Sequence, residues 1–215
     1  MSYILEILPA LIKGTVMTLK MFGITLLGSV PLGLLVAFGL RTKFKPLTYL
    51  LNVYVWIMRG TPLLLQLIFI FYGLPLLQGG IVFERFDAAA FAFILNYGAY
   101  FAEIFRGGLQ AIPKGQYEAA KVLKFSKFET ARYIILPQVF KIVLPAGANE
   151  VINLVKDSSL IYVLGLGDLL RAGKIAMSRD ISLIPMILVA AIYLLLIGIL
   201  TIIAKQIEKH YDGWK

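Results

Sequence analysis

The stretch IPKGQYEAAKVLKFSKFETARYIILP, Ile112 to Pro137, is the longest charged interval in an otherwise apolar chain. Lys114, Glu118, Lys121, Lys124, Lys127, Glu129 and Arg132 fall within it, and long apolar runs lie on both sides. A polar loop of this kind between membrane spans needs a partner or a task. Pro113 suits the first position of a helix, where a missing N–H costs nothing. At helical spacing Ala119, Ala120, Val122 and Leu123 share one side, and Tyr117, Glu118, Lys121 and Lys124 the other. The pattern predicts a short amphipathic helix of about three turns. Two readings of it are open: a helix lying on lipid headgroups, or one that engages a partner.

Outward from this loop, the composition is that of a membrane protein. Of 215 residues, 60% are hydrophobic and 15% charged, against about 25% charged in ordinary soluble domains. The mean hydropathy is +0.84. One domain, 1–215, suffices for this length. There is no cysteine and one histidine, His210, so neither a disulfide framework nor a thiolate or histidine metal site is expected. The net charge of +9 reads as basic loops rather than as a nucleic-acid surface. Met1 to Leu11 carries Glu6 and Pro9 and lacks the basic start and clean apolar core of a cleaved signal.

A span needs about 20 apolar residues. Five segments meet this: about 15–40, 63–77 after a lead-in helix over about 48–58, 88–110, 138–154 and 183–204. The fold class is therefore an all-α integral membrane protein of about five transmembrane helices. Arg41, Lys43, Lys45, Lys114, Lys121, Lys124, Lys127, Arg132, Lys205, Lys209 and Lys215 fall on one side, and Arg85, Arg171, Lys174 and Arg179 on the other. The positive-inside rule puts the first group in the cytoplasm, the N-terminus outside and the C-terminus inside.

Within the spans, polar residues are the candidate sites, because an ionisable group at membrane depth is costly. Pro62 after Gly60 predicts a break between an in-plane helix and the second span. Gln66 then projects from that span, either as an interhelical hydrogen-bond partner or as a substrate ligand. Asn96, Tyr100, Glu103 and Gly107 form one stripe on the third span. Arg106, three residues after Glu103, offers it an internal partner. Lys156, Asp157, Ser158 and Ser159 are too polar to face lipid together. They line a cavity or pack inside the bundle, and Lys156 and Asp157 can neutralise each other. The glycines Gly23, Gly28, Gly33 and Gly39 of the first span allow close helix approach.

Glu118-Ala119-Ala120, followed by Ile134, Leu136 and Pro137, resembles the EAA loop of bacterial ABC importer permeases. Lys13 to Leu19 resembles the opening of the same family. Arg59 to Gln66, RGTPLLLQ, resembles the RGTPLLxQ signature of its polar amino-acid branch, the histidine, glutamine and arginine permeases. Asn96 to Gly108 and Lys156 to Leu160 resemble further segments of that branch, in family order. One departure stands out: Lys124 occupies a position that is usually glycine, which would ease a sharp helix exit.

The resemblance implies a permease subunit of an ATP-driven importer, multi-pass in the bacterial cell membrane. Tyr117, Glu118, Ala119, Ala120, Lys121 and Lys124 would form a cytoplasmic coupling helix seated in a cleft of the ATPase subunit. The implied partners are two ATPase subunits, a second permease chain, an external amino-acid-binding protein and membrane lipid. No phosphate-binding GxxxxGK[ST] occurs. ATP and magnesium would be bound by the ATPase, with no cofactor in this chain. Gln66, Glu103, Asp157 and Ser158 are the expected substrate ligands. Two acids and two neutral polar groups suit a basic amino acid first and glutamine second. An ion-coupled secondary transporter and a membrane scaffold are the alternatives. The first is disfavoured by the absence of an evident inverted repeat, the second by polar runs at membrane depth.

Overall fold

A computed structural model describes residues 2–212. Met1, and Lys215 among the basic tail residues, lie outside the described residues. Helices dominate, and no strand occurs among the described residues. Among the described residues four helices are long and apolar enough to cross a membrane. A pair bent by 107° at a short break makes a fifth crossing if taken as one span.

The first helix, α1, runs from Ser2 to Gly39, starting well before the expected Thr15. Pro9 lies inside it without ending it. Ile7 and Leu11 are buried with Leu169, Ala176 and Val189 of later helices, and this packing outweighs the local punctuation. At Gly33 a Cβ would stand 2.6 Å from the Cβ of Phe101. Glycine here lets α1 lie close against α4 (Arg85–Ala111). Gly28 meets Ile94 and Gly39 meets Leu51 in the same way, whereas Gly23 faces open space.

Between α1 and α4 come α2 (Lys45–Gly60) and α3 (Leu63–Ile68). α3 continues through a π-helical turn, Phe69–Gly73, and a 3-10 turn, Leu74–Leu76. The expected break falls at Thr61 and Pro62, both in extended conformation. α4 is the central strut. Ala88, Ala89, Ala92, Phe93 and Tyr97 are buried with Met21 of α1, Leu67 of α3 and Leu154 of a later helix.

The charged loop forms α5 (Lys114–Val122) and α6 (Lys127–Glu129). Pro113 is the residue before the first helical position, not the first itself. A π-helical turn, Thr130–Ile135, leads into α7 (Leu136–Asp157), which ends in a 3-10 turn, Ser158–Leu164. The fourth span is thus longer at both ends than the expected 138–154. α8 (Leu169–Asp180) follows, capped by the Asp168 carboxylate accepting from Leu170 N at 2.9 Å. α9 (Ile184–Asp212) closes the described chain. Little of α9 is buried against the rest, as a helix facing lipid or another subunit would be.

Candidate functional site: a polar cavity and an exposed helix

The break between α2 and α3 organises the site. Pro62 has no N–H, so the carbonyl of Met58, four residues earlier, loses its helical partner. Two side-chain amides replace it. Gln66 Nε2 donates to Met58 O at 3.0 Å and Asn96 Nδ2 donates to the same oxygen at 2.9 Å. Gln66 Nε2 also reaches Thr61 Oγ1 at 2.8 Å, and Asn96 donates to Gln66 Oε1 at 3.1 Å. Gln66 is 8% exposed. Its donors and acceptor are engaged within the chain, as the interhelical reading anticipated.

Beside this break lies a cavity of about 560 Å³, bounded by Thr61 to Leu64 of the break, Asn96, Tyr97 and Tyr100 of α4, and the end of α7. α7 contributes Glu150, Asn153, Lys156 and Asp157. They recur at helical spacing and so share one face. Tyr97 donates its hydroxyl to Asp157 Oδ2 at 2.7 Å, fixing that carboxylate at the wall. Of the four substrate ligands expected from the sequence, Asp157 alone lines this cavity. Ser158 is fully buried, and its hydroxyl donates to Val155 O at 2.7 Å. Glu103 is gripped by Arg106 through two bonds of 2.9 and 2.6 Å, and Arg59 lies 3.5 Å from it. Arg59 in turn lies over the Tyr100 ring, 5.3 Å from its centroid. The four therefore do not converge.

Glu150 was missed as a site residue. Its signal was present: it precedes Asn153 and Asp157 by three and seven residues, an amphipathic stripe on an apolar helix.

The second site is α5. Ala120 is 1% exposed and packs inward, while Tyr117 and Lys121 line a separate cavity against the bundle. Glu118, Ala119 and Val122 face outward, and Val122 is 80% exposed. The division by residue type expected from the sequence is therefore not the division of faces. Ala120, expected as part of the coupling helix, is buried against its own chain. At the exit Lys124 has φ +59°, the left-handed conformation that glycine prefers. Lys124 N donates to Lys121 O and Phe125 N to Ala120 O, both at 3.0 Å. This is a Schellman ending with lysine in the glycine position.

Comparison with known proteins places these features in a family. Residues 29–213 match the family model described as "Binding-protein-dependent transport system inner membrane component". The arginine transport system permease protein ArtQ of Bacillus subtilis is 37% identical over 203 residues, covering 94% of this chain and 92% of its own. The glutamine transport system permease protein GlnP of Escherichia coli is 34% identical over 210 residues, covering 97% and 96%. A solved chain described as an amino acid ABC transporter with histidines superposes with a TM-score of 0.88 at 36% identity, covering 96% of both chains. With its broken second span, its EAA loop and these full-length relatives, the chain belongs to the family of inner membrane components of binding-protein-dependent transport systems.

Proposed function

We propose that this chain is the permease subunit of an ATP-driven amino-acid importer, and that its cargo is cationic or neutral and polar. Arginine, lysine or histidine ranks first and glutamine second. The observation that carries this reading is the cavity that Glu150 and Asp157 share with Lys156. Its volume is within the range of about 300–1,000 Å³ for small-molecule pockets. Lys156 suits a cargo carboxylate, the two acids suit an ammonium and a second cation, and Asn153 suits an amide. Relatives are named for glutamine transport and for arginine transport, so both cargo classes occur among them and the ranking rests on the charges of the cavity alone.

A second permease chain would complete the path, since one chain of this size does not enclose one. An ATPase pair would bind ATP and magnesium, and an external binding protein would deliver cargo. Glu118, Ala119, Val122, Leu123 and Lys124 would meet the ATPase, whose two states would bias the spans by alternating access. The basic loops would face the cytoplasm, with the N-terminus outside. Reporter cysteines at Lys43, Lys124 and Lys209 would then resist an impermeant reagent in intact cells, and those at Phe83 and Ile181 would react. Ile181, at 94% exposure, is open to the reagent.

The decisive experiment is ATP-driven uptake in vesicles with the full transporter. Glu150→Gln and Asp157→Asn are expected to weaken apparent arginine affinity about tenfold each, a change of about 1.4 kcal/mol, and glutamine affinity less. Unchanged arginine affinity in both variants, or preferred uptake of glutamate, would overturn the assignment.

A further inference from the structure

A second cavity, of about 630 Å³, lies where three spans end on the side of the 112–137 loop. Its apolar lining includes Phe38 of the last turn of α1, Leu109 of the last turn of α4 and Leu136 at the start of α7. Its charged lining is Arg41, Lys121 and Lys127, and no acidic residue joins them. Among the described residues no carboxylate forms an ion pair with these three cations. Glu129, near Lys127 in sequence, is engaged elsewhere: its carboxylate accepts from Ser126 N at 2.8 Å.

The two classes of lining residue are ordered along the chain. Phe38 stands inside the span Tyr3–Gly39 and Arg41 just past it. Leu109 stands inside the span that ends at Ala111, and Lys121 lies beyond that end. The ends of spans are where hydrocarbon gives way to headgroups. The apolar residues therefore sit at the level of acyl chains and the cations at the level of phosphates. Inorganic phosphate would satisfy only the cations, and a zwitterionic lipid would leave the net positive charge uncompensated. A phosphodiester carrying net negative charge, with acyl chains below it, matches both halves. Basic pockets of this kind between membrane helices favour anionic headgroups.

We propose that this cavity binds an anionic phospholipid, with the phosphodiester between Arg41, Lys121 and Lys127 and the upper acyl segments against Phe38, Leu109 and Leu136. The site lies behind the inward face of α5, so a bound lipid braces that helix from the membrane side and leaves Glu118 and Val122 free.

The test uses the full-length chain in detergent micelles, with native mass spectrometry and thermal unfolding as readouts. Phosphatidylglycerol is expected to remain bound and to raise the unfolding temperature, and phosphatidylcholine to do neither. Removing charge by Arg41→Gln and Lys127→Gln should weaken phosphatidylglycerol binding about fivefold per cation, and Arg41→Lys should retain it. Millimolar inorganic phosphate should compete with the lipid only weakly. Equal retention of the two lipids by the wild-type chain, a reading that needs no variant, would overturn the proposal. So would unaltered binding in the double variant, or phosphate binding as tight as that of the lipid.

Discussion

Gln66 and Asn96 share one acceptor, the carbonyl of Met58, which receives their amides at 3.0 and 2.9 Å. They stand on different helices and are joined to each other at 3.1 Å. The pair substitutes for the N–H that Pro62 lacks and so holds the 107° bend. Gln66→Leu and Asn96→Leu should each lower stability by about 1–3 kcal/mol, the cost of a buried polar group left unpaired. Because they share a carbonyl, the double variant should lose less than the sum. Denaturant unfolding in detergent measures both. Strict additivity would show that the two amides act separately.

The left-handed lysine at the exit of α5 yields a stabilising change. A residue with a Cβ pays about 1–2 kcal/mol in that conformation, and Lys124 pays it at φ +59°. Lys124→Gly should therefore make the loop more resistant to proteolysis and raise the unfolding temperature. Lys124→Val should do the reverse, since a branched Cβ is worse placed there. A lower stability for the glycine variant would mean that the lysine side chain makes an offsetting contact.

The sequence made some of this legible and hid the rest for physical reasons. Pro62 after Gly60 announced the break, because a missing N–H is a property of one residue. The lengths of α1 and α7 were not legible. The residues before Thr15 belong to α1 because Ile7 and Leu11 are buried against α8 and α9, a long-range contact that no local pattern shows. The inward turn of Ala120 was half legible, since alanine fits a close contact but does not say with what. Glu103 is tied to Arg106, a pairing foreseeable from i, i+3 spacing. Ser158 was unreadable as a site residue: whether a polar side chain at the end of a span faces a cavity or its own backbone depends on helix rotation.

The ends of α1 and α8 are joined by an ion-supported contact with a defined pH range. Asp180 accepts two bonds from Arg179, at 2.7 and 2.8 Å, and one from the Tyr3 hydroxyl at 2.7 Å. Arg179 first and Tyr3 second hold its carboxyl at about 2, below the ordinary 3.8. A depressed folded-state value means a contribution fully present above 3.8 and lost as the pH falls through about 2. The stability difference between the wild-type chain and Asp180→Asn should stay constant from about pH 7 to 5 and shrink below about 4. Thermal unfolding across that range is the measurement. A difference that shrinks already between about pH 7 and 5 would point to another titrating group.

The two faces of α5 predict two different failures. Glu118 and Val122 are exposed, and neither supports the chain's own packing. Glu118→Lys and Val122→Asp should leave the unfolding temperature of the isolated chain unchanged, since surface substitutions alter stability by about 0.5 kcal/mol or less. In the full transporter they should separate ATP hydrolysis from uptake, because the altered face is the one proposed to meet the ATPase. Ala120 is buried, so Ala120→Trp overpacks the loop against its own chain and should cost about 1–3 kcal/mol. Its unfolding temperature should fall even without any partner, and its transport defect should follow that loss. Measuring unfolding and the ratio of ATP hydrolysed to cargo moved for all three variants distinguishes the faces. If Glu118→Lys and Val122→Asp retain full coupling while Ala120→Trp is stable but uncoupled, the inward face is the one that meets the partner, and the orientation of α5 is reversed in the assembled transporter.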